Sequence, residues 1–591
     1  MKKNKKQKGG GLIKQLSASV RDYKTPSIIT LLFIVGEVII ECFIPFITAK
    51  LVNNIKAGVA IGELLKTGLT LFVLAVLSLT CGGVAGFTCA KASSGFAKNL
   101  RHDVFSRIQT YTFSNIDKFS SSSLVTRLTT DITNIQMSYM MLIRIAIRSP
   151  LMFVFAIIMA YIMGGSLAFT FVIVVPVLIF GLIMIARFAM PAFRSVFRKY
   201  DKLNESIEEN VRGMRVVKGF SREEYEKKKF YDAAENIRKD FVKAERIVAL
   251  NNPLMQICLY FNMVFVLIVG AKLTIENKGA LIDVGQISAM LTYGMQILMS
   301  LMMLSMIYVM LTMSAESAKR VCEVLSTVPE IVNPENPVTE VKNGDIVFSH
   351  AGFKYSKNAK RYAVKDINIE IKSGQTVGII GGTGTGKSSL VQLIPRLYDV
   401  TEGDVFVGGV NVKDYDIATL RDSVAMVLQK NQLFSGTIKE NIRWGDENAT
   451  GEEIVAACKL AQADDFIRSF PDGYDTYIEQ GGTNVSGGQK QRICIARALI
   501  KKPKILILDD STSAVDTRTD ARIREGFRNY IPQTTKIIIA QRISSVQDAD
   551  MIIVLDGGAV VDVGTHGELA SRCDIYREVY EQQISGGDKD A

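Results

Sequence analysis

Charge is almost absent from long stretches of the first 315 residues, and this narrows what the chain can fold into more than any other feature. Residues 67–90 carry no charged side chain, and residues 149–186 form a single uncharged run of about double length. Residues 25–49, 247–271 and 284–315 are equally apolar, the first interrupted only by Glu37 and Glu41. A span needs about 20 residues, and inside lipid a helix satisfies all of its own backbone hydrogen bonds. Gly164-Gly165-Ser166 divides the double run with a tight turn, so six transmembrane helices are expected. Beyond residue 344 such runs vanish, and short β-rich segments alternate with helical ones. A chain of 591 residues is expected to hold two or more domains. The composition therefore reads as an all-α polytopic membrane domain followed by a soluble α/β domain.

The charge distribution orients this plan. The net charge of +11 begins with Lys2, Lys3, Lys5, Lys6 and Lys8, just ahead of an amphipathic stretch at 12–23 and the first span. That position fits a positive-inside signal better than a nucleic-acid arm, and no nucleic-acid partner is expected. The first apolar run is too long, and too far from the start, for a cleaved signal peptide. An even number of spans returns both termini to one side. Eight cysteines without a CxxC pair read as free thiols in a reducing compartment. His102, His350 and His566 are too scattered to build a metal centre.

The connections between spans are unequal. Residues 53–66, 164–166 and 272–283 are short, whereas 91–148 and 187–246 are long, charged and helical in pattern. The helices should therefore continue well beyond the lipid. Residues 113–119 and 213–224 lie where each excursion turns back, and either dock on the soluble domain or form solvated hairpins. Glu37 and Glu41 are four apart and share a helix face. They suit either a hydrogen bond to a neighbouring helix or a contact with a cationic substrate. The last span carries Met290, Met295, Met299, Met302, Met303, Met306, Met310 and Met313. Such a stripe serves either plain packing or an adaptable surface.

Pro329, Pro334 and Pro337 mark a linker. Beyond it, TVGIIGGTGTGKSS at 376–389 is a buried strand, a glycine-rich turn and a helix start in succession. Gly381, Gly382, Thr383, Gly384, Thr385 and Gly386 let backbone N–H groups converge on phosphate oxygens, assisted by the helix N-terminus. Lys387 is expected to reach the β- and γ-phosphates, and Ser388, followed by Ser389, to ligate Mg²⁺. The chain is thus expected to bind a nucleoside triphosphate. Tyr355 is suited to stack on the base or to sit in the core. Gln429, after a strand, is placed to reach Mg²⁺ or the γ-phosphate. Val485-Ser486-Gly487-Gly488-Gln489 opens a helix capped by Ser486 and makes a second phosphate-binding N-terminus. ILILDD at 505–510 ends a strand in two carboxylates, Asp509 being suited to hold Mg²⁺.

Together these motifs resemble the ATP-binding cassette (ABC) transporters, specifically an exporter half-transporter with six spans and one nucleotide-binding domain. The resemblance runs from the first span to about residue 581. It implies a cytoplasmic-membrane protein with both termini and the ATP-binding domain in the cytoplasm. It implies ATP and Mg²⁺ as cofactors, and pairing of two chains so that each ATP lies between one phosphate loop and the other signature, here Ser486 to Gln489. Ser513-Ala514-Val515-Asp516 matches the family's D-loop. TYIEQGG matches its X-loop, with Glu479-Gln480 where Gly-Glu is usual. The implied domains are an N-terminal segment at 1–24, the transmembrane domain at 25–320, a linker at 321–343, the nucleotide-binding domain at 344–584 and a tail at 585–591.

Two departures from the family carry information. Asp510 stands where a glutamate usually orients the attacking water, and Gln541 stands where a histidine usually contacts the γ-phosphate. Both changes in one half-site point to a site that binds ATP but hydrolyses it poorly. The implied assembly is a heterodimer with a homologous half-transporter bearing the glutamate and the histidine, as in heterodimeric multidrug exporters of Gram-positive bacteria. Its substrates would be small hydrophobic or cationic compounds in contact with membrane lipid. The rival readings are a narrower cargo (peptide, lipid or siderophore) and an ATP-gated regulatory module.

Overall fold

The structure is a computed structural model, described over residues 9–276, 282–356, 359–511 and 515–587. Lys2, Lys3, Lys5, Lys6 and Lys8, and Ser513 and Ala514 of the D-loop match, lie outside the described residues. The chain forms two compact units. The first holds residues 1–110 and 120–327, and the second holds 328–591 together with Tyr111–Phe119.

Among the described residues of the helical unit, six helices are long and apolar enough to cross a membrane. They are built on α1 (Lys24–Lys56), α2 (Ile61–Gln109), α3 (Ile132–Gly164), α4 (Phe169–Arg212), α5 (Asn251–Glu276) and α6 (Val284–Ser326). At ~1.5 Å per residue, α2 with its 49 residues reaches about 70 Å, more than twice a ~30 Å hydrocarbon core. The helices thus extend well past lipid, as the long charged connections require. The turn expected at residues 164–166 is present: α3 stops at Gly165, whose φ of +48° breaks the helix before a short 3₁₀ turn at Gly165–Ala168. Gly164 is packed so closely that a Cβ there would lie 2.4 Å from Met290 Sδ.

The two intramembrane carboxylates face a neighbouring helix. Arg148 of α3 donates to both Glu41 oxygens at 2.7 Å and lies 3.5 Å from Glu37. Glu37 in turn covers Gly82 of α2, where a Cβ would come within 3.0 Å of its Oε1. The arginine ties α1 to α3 while a glycine on α2 makes room. Removing the cation would strand two carboxylates, which costs more than removing the pair. Arg148→Met is therefore expected to lower stability by about 1–2 kcal/mol after allowance for its partial exposure. The triple variant Glu37→Gln, Glu41→Gln, Arg148→Met should recover much of that loss. Thermal midpoints of the detergent-solubilised chain test this, and equal losses in both variants would refute the pairing.

A second polar seam joins α6 to the chain leading into α3. Residues Arg127–Asp131 form a π-helical turn, and the fully buried Asp131 accepts from Arg320 Nε at 2.7 Å. Arg127 reaches the Arg320 carbonyl at 2.9 Å and Glu323 at 3.1 Å. Along α6, Met290 is buried, while Met295, Met299, Met303 and Met306 are exposed on one face.

The second unit is α/β. Ile346–Phe353 pairs antiparallel with Val364–Ile371 on one side and Glu402–Val407 on the other, and Val410–Asn411 completes this four-stranded sheet. The six-stranded sheet runs in the order Ala559–Gly564, Met551–Asp556, Thr376–Ile380, Thr535–Ile539, Ile505–Asp509 and Val424–Val427. Only its first pairing is antiparallel. The central strands are buried along nearly their whole length, which explains why ILILD and TKIII read as continuous apolar runs rather than alternating ones. Two cores flank this sheet. One includes the helix Gly487–Leu499, and the other fills the space toward the antiparallel sheet.

Candidate functional site

Parallel register gathers the chemistry at one edge. Ile539 is paired with Ile379 on one side and with Asp509 on the other, so the loop after Ile380, the pair Asp509-Asp510 and Gln541 all leave the sheet together. Crevices at the carboxyl ends of parallel strands are where α/β sheets bind ligands.

The loop at 381–386 has the backbone its glycines permit. Gly384 and Gly386 have φ of +80° and +94°, in the left-handed region. A Cβ on Gly386 would also meet the Ala363 carbonyl at 2.2 Å. Thr385 is buried and its hydroxyl donates to Gly382 O at 2.9 Å, whereas Thr383 is exposed. Lys387 begins the helix Lys387–Gln392 and curls back over the loop. Its ammonium donates to Gly381 O and Gly382 O at 2.7 and 2.6 Å. Burial pushes its pKa down, and the nearby Asp509 and Asp510 oppose that shift.

Ser388 Oγ donates to Asp509 Oδ1 at 3.0 Å. Burial pushes the Asp509 carboxyl up, the Ser388 bond counters it, and the Asp510 charge adds to the rise. Asp510 adopts φ +49°, a conformation aspartate tolerates better than most residues, and its N–H is bonded to Ile539 O at 3.0 Å. Gln541 Nε2 donates to Asp510 Oδ2 at 2.8 Å. The two residues that depart from the family pattern are thus bonded to each other. His350 and His566 are engaged elsewhere, with Asp366 and Tyr576, each at 2.8 Å.

Gln429 is exposed, two residues past the strand Val424–Val427, which borders Ile505–Asp509. Tyr355 is 55 % exposed, and its hydroxyl shares a 2.8 Å hydrogen bond with the buried Ser389. Ser486 caps Gly487–Leu499 through a reciprocal box: its Oγ accepts from Gln489 N at 3.3 Å, and Gln489 Oε1 accepts from Ser486 N at 2.9 Å. Gly487 and Gly488 form the first turn, leaving its N–H groups free of side-chain cover. Asp516, from the D-loop match, caps Thr517–Tyr530. Glu479 of the X-loop match accepts from the Thr483 hydroxyl at 2.8 Å.

The turns of the two long connections differ. Phe113–Lys118 is a short helix within the second unit, whereas 213–224 stays with the helical unit and leaves Val216 and Phe220 exposed. Sequence reasoning missed Arg148 as the partner of Glu37 and Glu41. Its signal was a single arginine at the border of an uncharged run.

With this geometry in place, comparison is informative. Residues 27–301 match the ABC transporter transmembrane region family, and residues 364–513 match the ABC transporter family. The uncharacterized ABC transporter ATP-binding protein YfiB of Bacillus subtilis (strain 168) is 36% identical over 96% of this chain and 97% of its own length. The uncharacterized ABC transporter ATP-binding protein Rv1273c of Mycobacterium tuberculosis (strain ATCC 25618 / H37Rv) is 33% identical, covering 97% of this chain and 98% of its own length. A solved structure of a bacterial Atm1-family ABC exporter with ATP bound is similar at a TM-score of 0.82 and 25% identity. That match spans 96% of this chain and 99% of the other.

Proposed function

The chain belongs to the ABC transporter family, and from that premise we propose that it is one half of a heterodimeric exporter whose own ATP site is degenerate. As a family member it is a multi-pass ABC half-transporter and an ATP-hydrolysing transport enzyme, of a kind that commonly dimerises. The finer reading rests on one observation: the 2.8 Å bond between Gln541 and Asp510. A carboxylate shortened by one methylene is held by an amide, so it is drawn away from the position of an attacking water.

The remaining residues serve binding. The loop amides of 381–386 and the ammonium of Lys387 hold the phosphates, and Tyr355 supports the adenine. Ser388 and Asp509 offer two adjacent oxygens, the hard donor pair that Mg²⁺ takes alongside phosphate oxygens and water. These residues would hold the ion, which there neutralises phosphate charge, and Gln429 approaches from the neighbouring strand. The signature from Ser486 to Gln489 is complete and would cap a partner's ATP with its helix N-terminus. The partner, a homologous half-transporter, would supply glutamate and histidine at the competent site.

ATP binding then draws the nucleotide-binding domains together on the cytoplasmic side, and hydrolysis at the partner's site resets the cycle. Export of small hydrophobic or cationic compounds is supported by the exposed methionine face of α6, whose side chains adapt to many shapes. Steady-state ATPase in nanodiscs tests the proposal. The chain alone should be nearly inactive. Co-purified with its partner, it should turn over at roughly 1–10³ s⁻¹. Brisk activity of the chain alone would establish a homodimeric pump instead.

A further inference from the structure

Gln583 belongs to none of the nucleotide-binding motifs, yet it grips the backbone that carries Gln541. Its Nε2 donates to Gln541 O at 2.8 Å, and its Oε1 accepts from Ile543 N at 2.9 Å. Both backbone groups lie just past the strand Thr535–Ile539, where the ladder of the sheet has ended. One side-chain amide thus serves a carbonyl and an N–H two residues apart, as a neighbouring strand would. Gln583 comes from the helix Asp574–Gly587. Tyr576, Tyr580 and Gln583 follow one another by four and three residues there, and so share a helix face. Tyr576 is fully buried and bonded to His566 at 2.8 Å, and the Tyr580 ring lies 4.9 Å from the His566 ring. The seat of these two tyrosines fixes where Gln583 reaches.

The rest of this short segment is held from other directions. Ala540 N donates to Ile379 O at 3.4 Å, and Ser545 Oγ donates to the buried Asp520 at 3.0 Å. Ile543 and Val546 are buried, and a Cβ on Gly378 of the central strand would come within 2.6 Å of Val546. Gln541, by contrast, is exposed, and its side chain donates to Asp510 Oδ2 at 2.8 Å. Its aim is therefore set by its backbone, and Gln583 is the clamp on that backbone.

We infer that Gln583 is a positioning residue that aims the Gln541 amide by clamping the backbone of residues 541–543. Through that aim it sets the preference of the site for a nucleoside triphosphate over a diphosphate. The inference rests on the ATP site proposed above. A primary amide nitrogen carries two N–H donors, and Asp510 takes one of them. The other serves an oxygen of the terminal phosphate, which ATP has and ADP lacks. A hydrogen bond to a charged acceptor is strong, but only while the donor is aimed. Without the clamp the backbone at 541 and 543 gains freedom, and the amide spends less time in that direction. The loss falls on ATP and spares ADP. It also passes through Gln541 alone, so substitutions at the two positions should not add.

Competition titration tests this on the full-length chain in lipid nanodiscs, with ATP or ADP displacing a fluorescent ATP analogue in the presence of Mg²⁺. The unaltered chain should bind ATP about tenfold more tightly than ADP. Gln583→Met keeps the length and bulk of the side chain but loses both bonds. It should cut that preference roughly fivefold while leaving ADP affinity within about twofold. Gln583→Glu keeps the acceptor for Ile543 N and should retain part of the preference, which a role in packing alone does not predict. In a Gln541→Ala background, adding Gln583→Met should lower the preference no further. An undiminished preference in Gln583→Met would overturn the inference. So would equal losses from Gln583→Met with and without Gln541, which mark a merely structural role. Equal affinities of the unaltered chain for ATP and ADP would overturn it as well. Failure of the unaltered chain to bind the analogue would instead overturn the ATP site on which the inference stands.

Discussion

Asp510→Glu combined with Gln541→His should raise hydrolysis at this chain's own ATP site by about two orders of magnitude. The added methylene returns the carboxylate by ~1 Å or more toward the attacking water, and misplacement of that order costs ~10²-fold in rate. Neither change suffices alone. With Gln541 in place, a longer carboxylate still meets an amide donor, as Asp510 does now at 2.8 Å. With Asp510 in place, a histidine gains a γ-phosphate contact but leaves the water without a base. The measurement is single-turnover phosphate release from the proposed heterodimer, with the phosphate-loop lysine of the other half-transporter replaced so that only this site can act. An unchanged rate in the double variant would show that the two residues do not cause the weakness of the site.

Lys387→Ala should reduce ATP affinity by ~10²-fold or more, because hydrogen bonds from a cation contribute about 1.5–3 kcal/mol each and the ammonium can make at least two to the phosphates. The loss has a second origin in the protein itself. Lys387 now holds the Gly381 and Gly382 carbonyls at 2.7 and 2.6 Å, and truncation leaves the Gly381 carbonyl without that bond. Thr385 still anchors Gly382, so the loop should persist without its charge. Ser388→Ala removes the hydroxyl beside Asp509 and should leave metal-free binding near normal while abolishing its strengthening by Mg²⁺. Titration of a fluorescent ATP analogue, with Mg²⁺ or with EDTA, separates the two. Wild-type affinity in Lys387→Ala would mean the triphosphate is held elsewhere.

Most of the architecture was legible because its signals are local. Five apolar runs, one of double length, specify six helices through the length of a bilayer, and a strand, a glycine turn and Lys387-Ser388 specify their own geometry. What escaped was set by distant pairing. Nothing near residue 148 says that its guanidinium will meet Glu37 and Glu41 more than a hundred positions earlier. The bond between Gln541 and Asp510 likewise depends on two strands lying side by side in register, although each departure could be seen singly against the family pattern. Tyr398 is the extreme case, since a tyrosine in a loop carries no periodicity and no motif. Its contacts with Asp117 and Phe113 exist only once residues 111–119 have joined a unit whose remainder begins at 328.

That division of the second unit has a consequence for how the protein is made. A ribosome delivers residues 111–119 long before any other part of the unit they complete. Those nine positions must wait, unpartnered, while four further membrane crossings are synthesised and inserted. The ATP-binding unit is therefore completed by a piece of chain made long before the rest of it. That piece is held in the sequence between the second and third spans, so those two spans flank it on either side. A fragment starting at residue 328 would lack that piece and expose the Tyr398 ring and hydroxyl to water.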